Sequence, residues 1–211
     1  MSIKALIFDF GGVLSRTENH NPRIELAKRF GLEEHDLEKL VFASPSSKRA
    51  SIGELSVDDH WREVALALKV NPDEVNQIRD QFFAGDQLDQ ELVIYLRQMG
   101  KTYKIGLLSN AWGDLRSSLN HSLHILNIFD DVVISSEIGI MKPDQRIFLL
   151  AAEKLQVANN QVIFVDDTPE NVDAARSLGM FGIQFQTTKQ TLADISKIIE
   201  KSKNASKPPQ P

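Results

Sequence analysis

The chain has 211 residues, a formal net charge of −5, 42% hydrophobic residues and no cysteine. That length and apolar fraction fit one domain with a large core, or one domain carrying a smaller insertion, and exclude global disorder. The acidic balance leaves no basic footprint for nucleic acid, and the missing cysteines remove disulfides, thiol nucleophiles and thiolate metal sites together. No apolar run approaches the roughly 20 residues needed to span a bilayer, and no signal-peptide pattern opens the chain. The expectation is a cytoplasmic protein with no membrane partner.

Apolar runs with strand character fall at residues 5–8 (ALIF), 103–108 (YKIGLL), 132–134 (VVI), 162–165 (VIFV) and, more weakly, 181–185 (FGIQF). Runs without strict alternation suit strands buried on both faces of a parallel sheet. Helical periodicity at residues 91–99, 114–119, 145–155 and 170–178 separates the later ones, which predicts a Rossmann-like, doubly wound α/β sheet. Residues 16–85 break this rhythm with helical patterns only, such as PRIELAKRF, HDLEKLVF and VDDHWREVALAL. A stretch of that length is no ordinary loop. It reads as an inserted α-helical cap, with residues 1–15 and 86–200 forming the core. The remainder, 201–211 (KSKNASKPPQP), reads as a disordered tail.

Open α/β sheets bind ligands at the carboxyl ends of their strands. Here those ends carry Asp9, then Ser109 and Asn110, then Lys142 a little past the third run, then Asp166 and Asp167. Taken alone, each is an ordinary cap or loop residue. Three carboxylates and a lysine at one sheet edge are harder to explain as independent caps. Clustered carboxylates repel unless a cation offsets them, and hard oxygen ligands suit Mg²⁺. A carboxylate can also attack phosphorus, while a lysine, a hydroxyl and backbone N–H groups hold phosphate charge. Gly11 and Gly12 leave backbone N–H groups accessible to such a phosphate and permit a tight turn beside it.

With four motifs in order, FDFGGV, LLSN, GIMKPD and VDDTPEN, the chain resembles the haloacid dehalogenase-like hydrolase superfamily, in its phosphatase-type branch with a helical cap. The segment ASIGELSVDDHW is similar to the cap of small bacterial members. The resemblance implies that Asp9 is the nucleophile and a Mg²⁺ ligand, and that the Gly11 carbonyl also contacts the metal. It implies that Ser109 and Asn110 clamp phosphate, and that Lys142 neutralises nucleophile and phosphate. Asp167 would ligate the metal directly, with Asp166 beside it as a supporting or additional acid. The implied substrate is a small phosphorylated metabolite, with sugar phosphates the first class to consider.

One position departs from the family pattern. Family phosphatases usually carry a second aspartate two residues after the nucleophile, as an acid/base; Gly11 stands there in this chain. General acid–base catalysis is typically worth ~10²–10⁴-fold, or about 3–5 kcal/mol. Glu18, His20 and Glu54 are candidate replacements, each with a plainer role as a solvated hinge or helix residue. In the cap, Arg16, Lys48 and Arg49 are candidates for substrate contact, and Trp112 for the pocket mouth. Trp61 reads as core packing, Lys48 and Arg49 also fit a solvated loop, and His121 with His124 read as surface. Two other readings compete: a non-catalytic binder of metal, phospho-ligand or partner, and a metal-free haloacid dehalogenase, whose substrate carboxylate Asp166 and Asp167 would repel.

Overall fold

The structure, a computed structural model, describes residues 2–205. Its strands in chain order are β1 Ala5–Phe8, β2 Ser15–Thr17, β3 Asp86–Leu88, β4 Lys104–Ser109, β5 Asp131–Ile134, β6 Val162–Asp166 and β7 Phe181–Gln184. Five of them form one parallel sheet in the order β5-β4-β1-β6-β7. The chain therefore works outward from β1 on one side and then crosses to the other. That reversal opens a crevice at the carboxyl end of β1, the place where such sheets bind ligands.

The core helices are α6 Gln90–Met99, α9 Gln145–Lys154, α10 Pro169–Ser177 and α11 Thr188–Ala205, with α7 Leu115–Ser117 and α8 Ser135–Ile138 as single turns. The β1 run lacks alternation because both of its faces are covered. Leu6 and Phe8 pack with Leu92 and Leu96 of α6 and with Ile195 and Ile199 of α11. Ala5 and Ile7 pack on the other face with Ile147 and Phe148 of α9 and Ala175 of α10. Asp89 fixes the start of α6 by accepting the Leu92 N–H at 2.8 Å, as an N-cap should.

Between β2 and β3 lie α1 Asn21–Arg29, α2 Glu34–Phe42, α3 Pro45–Ser51, α4 Val57–Ala67 and α5 Val75–Phe83. They enclose a separate apolar cluster around Leu26, Leu37, Val41, Trp61, Val64, Ile78 and Phe82. The chain enters and leaves this layer through β2 and β3, an antiparallel ribbon with Ser15 opposite Leu88 and Thr17 opposite Asp86.

Four local features differ from expectation. The ribbon was not legible because SRT and DQL are too short and polar to show a strand period. The SPSSKRAS stretch is helix rather than loop, started by Ser44, whose hydroxyl accepts the Ser47 N–H at 3.2 Å. The helix expected over residues 114–119 is the single turn α7, followed by a π-helical turn at Ser118–Ser122. Helix α11 runs to Ala205, into the segment expected to be disordered. Ser202 is buried and continues the Ile195–Ile199 stripe, its hydroxyl donating to the Ile199 carbonyl at 2.8 Å. Residues 206–211 of the expected tail lie outside the described residues.

Trp61 is 1% exposed and meets Phe82 and Phe83 edge-on at 6.0 Å. Trp61→Ala is expected to destabilise the protein by about 3–5 kcal/mol, the usual range for emptying a buried aromatic site. Chemical denaturation of the variant beside the parent chain checks this.

Candidate active site

The sheet register sets the site. Phe8 stands level with Leu107 of β4 and Val165 of β6, so Asp9 follows at the height of Leu108 and Asp166. The Asp9 N–H still donates to the Val165 carbonyl at 2.9 Å, which holds this acid at the end of the sheet rather than in a free loop. Lys142 arrives from beyond β5, on the segment after Gly139, a left-handed residue that ends α8. Its backbone is clamped to the β4 end: the Lys142 N–H donates to Asn110 Oδ1 at 2.8 Å, and Asn110 Nδ2 donates to the Lys142 carbonyl at 2.9 Å. Lys142 joins Pro143 through a cis peptide bond.

The Lys142 ammonium, on a residue 3% exposed, sits between two carboxylates. It lies 2.9 Å from Asp9 Oδ1 and 2.6 Å from Asp166 Oδ2, and donates also to the Leu108 carbonyl at 3.0 Å. An ammonium has three protons, and these partners use all three. Asp166 is fully buried and equally committed. It accepts from Lys142, from the Thr168 N–H at 2.9 Å and from Asn171 Nδ2 at 3.0 and 3.2 Å. Asp9 differs: Oδ1 takes both Lys142 and the Phe10 N–H at 2.7 Å, leaving Oδ2 without a donor among the described residues.

Asp167, the exposed neighbour of Asp166, completes the set. Oxygens of Asp9, Asp166 and Asp167 all lie within 4.8 Å of one another. Gly12 permits that approach. Its φ is +79°, and a Cβ there would sit 2.6 Å from the Asp167 carboxyl carbon, so glycine is required twice over. The charge of one lysine does not offset the burial of Asp9 and Asp167. Burial, opposed by Lys142 and reinforced by the Asp166 charge, pushes Asp9 up to about 7. Burial and then the same Asp166 charge push Asp167 up as well. Such a cluster fits a small divalent cation with oxygen preference, because a cation would relieve both shifts at once.

The other expected residues sort by distance from this centre. Ser109 is buried at the end of β4, level with Ile134 of β5. Gly11 is exposed, and among the described residues no backbone acceptor takes its N–H. The Gly12 N–H, expected to face phosphate, donates instead to the Ser15 carbonyl at 2.9 Å. Arg16 is held at the ribbon by the Val13 carbonyl at 2.6 Å, Asp89 at 2.8 Å and Glu18 at 3.0 Å, which occupies Glu18 too. His20 pairs with Glu34. Lys48 and Arg49 are exposed on α3, with Arg49 4.0 Å from Glu63. Trp112 is buried in the helical layer, its ring 4.6 Å from His60 and stacked 5.9 Å from Phe42, so it packs rather than lining an opening. His121 and His124 are exposed, as expected.

Three contributors escaped the sequence reading. Asn171 and Thr168 saturate Asp166, and their offsets of five and two residues from it are the only sequence signal. Ser135, fully buried, accepts the Ala111 N–H at 3.0 Å and so ties the β5 end to the loop after Asn110. A surface cleft of about 420 Å³ lined by Ile3, Lys4, Tyr103 and Leu155 lies at the other end of the strands and contains none of these carboxylates.

Sequence and fold comparisons relate the chain to known proteins. The mouse bifunctional epoxide hydrolase 2 is 28% identical over 152 residues, 67% of this chain, and the chain spans only 27% of that protein's length. A D-ribitol-5-phosphate phosphatase of Bacteroides thetaiotaomicron is 24% identical over 207 residues, covering 93% of this chain and 98% of its own. A HAD family enzyme of the same organism, solved in complex with magnesium and inorganic phosphate, superposes with a TM-score of 0.73 at 19% identity, over 88% of this chain and 96% of its own. The family profile itself matches residues 3–179, most of the chain and all four strand-end motifs. The protein belongs to the haloacid dehalogenase-like hydrolase family.

Proposed function

We propose that the protein is a Mg²⁺-dependent phosphatase that hydrolyses a small phosphorylated metabolite through an aspartyl-phosphate on Asp9. The observation that carries this reading is Asp9 itself. It is a buried carboxylate with one oxygen fixed by Lys142 and Phe10 and the other free of donors, next to two further acids. A carboxylate so held presents a defined lone pair to phosphorus and splits one hard displacement into two easier ones.

In the first step Asp9 Oδ2 attacks phosphorus, the bond to the leaving oxygen breaks, and an acyl phosphate forms. Water then attacks that phosphorus, which releases inorganic phosphate and regenerates the carboxylate. Lys142 keeps Asp9 oriented and offsets charge as it moves from carboxylate to phosphoryl oxygens. The Ser109 hydroxyl and the Gly11 and Asn110 backbone N–H groups are the proposed phosphate donors. Asp9 and Asp167, with the Gly11 carbonyl, would hold Mg²⁺, which when bound supplies positive charge to the phosphoryl oxygens. Asp166 has its lone pairs filled by N–H donors, so its role is to position Lys142 rather than to ligate. Sugar phosphates are the first class to screen, anomeric esters beside primary-alcohol esters such as the ribitol phosphate that a relative is named for. Lys48 and Arg49 remain the proposed contacts for the rest of the substrate.

With p-nitrophenyl phosphate and Mg²⁺, phosphate release is expected, and it should fall to background on Asp9→Asn or on chelation. Turnover that survives either change sinks the mechanism. A second outcome follows from the raised Asp9. Below about 7 a proton competes with the cation for this carboxylate, whereas above it the carboxylate is already free. The rise in melting temperature on adding Mg²⁺ is therefore expected to be larger at pH 8 than at pH 6. An equal or reversed shift would place the cation elsewhere.

A further inference from the structure

The same site bears on the fate of the leaving group. Resting on the phosphatase reading above, we infer that the protein donates no proton to the departing oxygen, so that the acidity of that oxygen selects the substrate. Esters of phenols, enols and carboxylic acids are taken ahead of those of primary alcohols.

A census of the site supports this. All three Lys142 protons are committed, to Asp9, Asp166 and the Leu108 carbonyl. Asp166 is fully buried and filled by N–H donors. Asp9 is the attacking group, and Asp167 is the acid left for the cation. Arg16 and Glu18 bind each other, and His20 binds Glu34. At position 11, two residues past the nucleophile on the same turn, there is no side chain. A Cβ built there would meet nothing within 4 Å, so no neighbouring group has moved into the space. The Gly11 backbone lies outside the left-handed region, so a side chain there would be neither strained nor crowded. In contrast, Gly12 is fixed by both φ and Asp167.

The first step therefore closes without a protein proton. Asp9 Oδ2 gains a bond to phosphorus, the P–O bond breaks, and its electron pair departs on the leaving oxygen as an oxyanion, which takes a proton from solvent. A phenolate or carboxylate carries that charge easily and a primary alkoxide does not. A sugar phosphate qualifies to the extent that neighbouring groups acidify its leaving oxygen.

One other acid is left to consider. Glu54 follows Gly53, whose backbone rests against Ser136 beyond β5, and the Glu54 carboxylate makes no ion pair or hydrogen bond among the described residues. The test includes it. The value of kcat/KM is measured for a series of substituted phenyl phosphates and primary alkyl phosphates, with the parent chain, Glu54→Gln and Gly11→Asp. The parent is expected to slow steeply as the leaving group becomes more basic, and Glu54→Gln to show the same slope. Gly11→Asp is expected to raise the alkyl-to-aryl ratio by about 10²-fold, the low end of what a positioned acid supplies. A shallow dependence in the parent overturns the inference and leaves the phosphatase reading standing. So does a slope that steepens in Glu54→Gln, which would make Glu54 the donor. The parent slope decides even if Gly11→Asp fails to fold. Absence of turnover for every ester, from folded protein with Mg²⁺, overturns the phosphatase reading and this inference with it.

Discussion

One ammonium between two carboxylates organises this molecule. Lys142 reaches Asp9 and Asp166 from a third chain segment, so the ends of β1 and β6 and the loop after β5 converge on a single buried nitrogen. Two buried acids side by side cannot both ionise without compensation, and a buried lysine cannot stay charged without partners. Each makes the others tolerable. Removing one member of such a group typically costs about 3–5 kcal/mol, because the remaining charge is stranded. The surrounding bonds, from Asn110, Asn171, Thr168 and the Leu108 carbonyl, serve to keep that nitrogen where both carboxylates need it.

The helical layer is anchored to the same edge of the sheet. Trp112, three residues past Ser109, is buried in the aromatic cluster of the helices, within 6.1 Å of Trp61 and 6.4 Å of Phe83. Asp114, two residues on, pairs with Arg79 of α5. On the other side Gly53 lies against Ser136, where a Cβ would come 3.3 Å from the carbonyl carbon and closer still to its oxygen. The loop that carries Ser109 and Asn110 is thus packed from above by the helices and from below by Ser135. If Ser109 and Asn110 act as the proposed phosphate donors, such pre-organisation would cost little when charge moves past them.

How much of this the sequence disclosed depends on whether a feature leaves a local period. The central strands did, because apolar runs such as ALIF and VIFV are buried on both faces. The strand-end acids did, because an acid closing such a run is conspicuous. The β2–β3 ribbon left no trace, being held by pairing between segments about seventy residues apart with three residues each. The fate of Trp112 was equally hidden: a tryptophan after a strand-end motif reads as a pocket residue, and only the fold shows the helical cluster that receives it. Asn171 looked like helix composition, and its value to Asp166 exists only once Pro169 starts α10 and turns that face inward. The Gly12 N–H was misplaced for a related reason, since a tight turn that closes on Ser15 uses the donor internally.

The central claim is that Asp9 carries the phosphoryl group covalently. The most direct measurement is to quench turnover in acid, reduce any acyl phosphate with borohydride, and locate the modified residue by peptide mass spectrometry. The account predicts reductive conversion of Asp9 to homoserine only when substrate and Mg²⁺ are both present. An unmodified Asp9 peptide during active turnover, or modification at another residue, would contradict it.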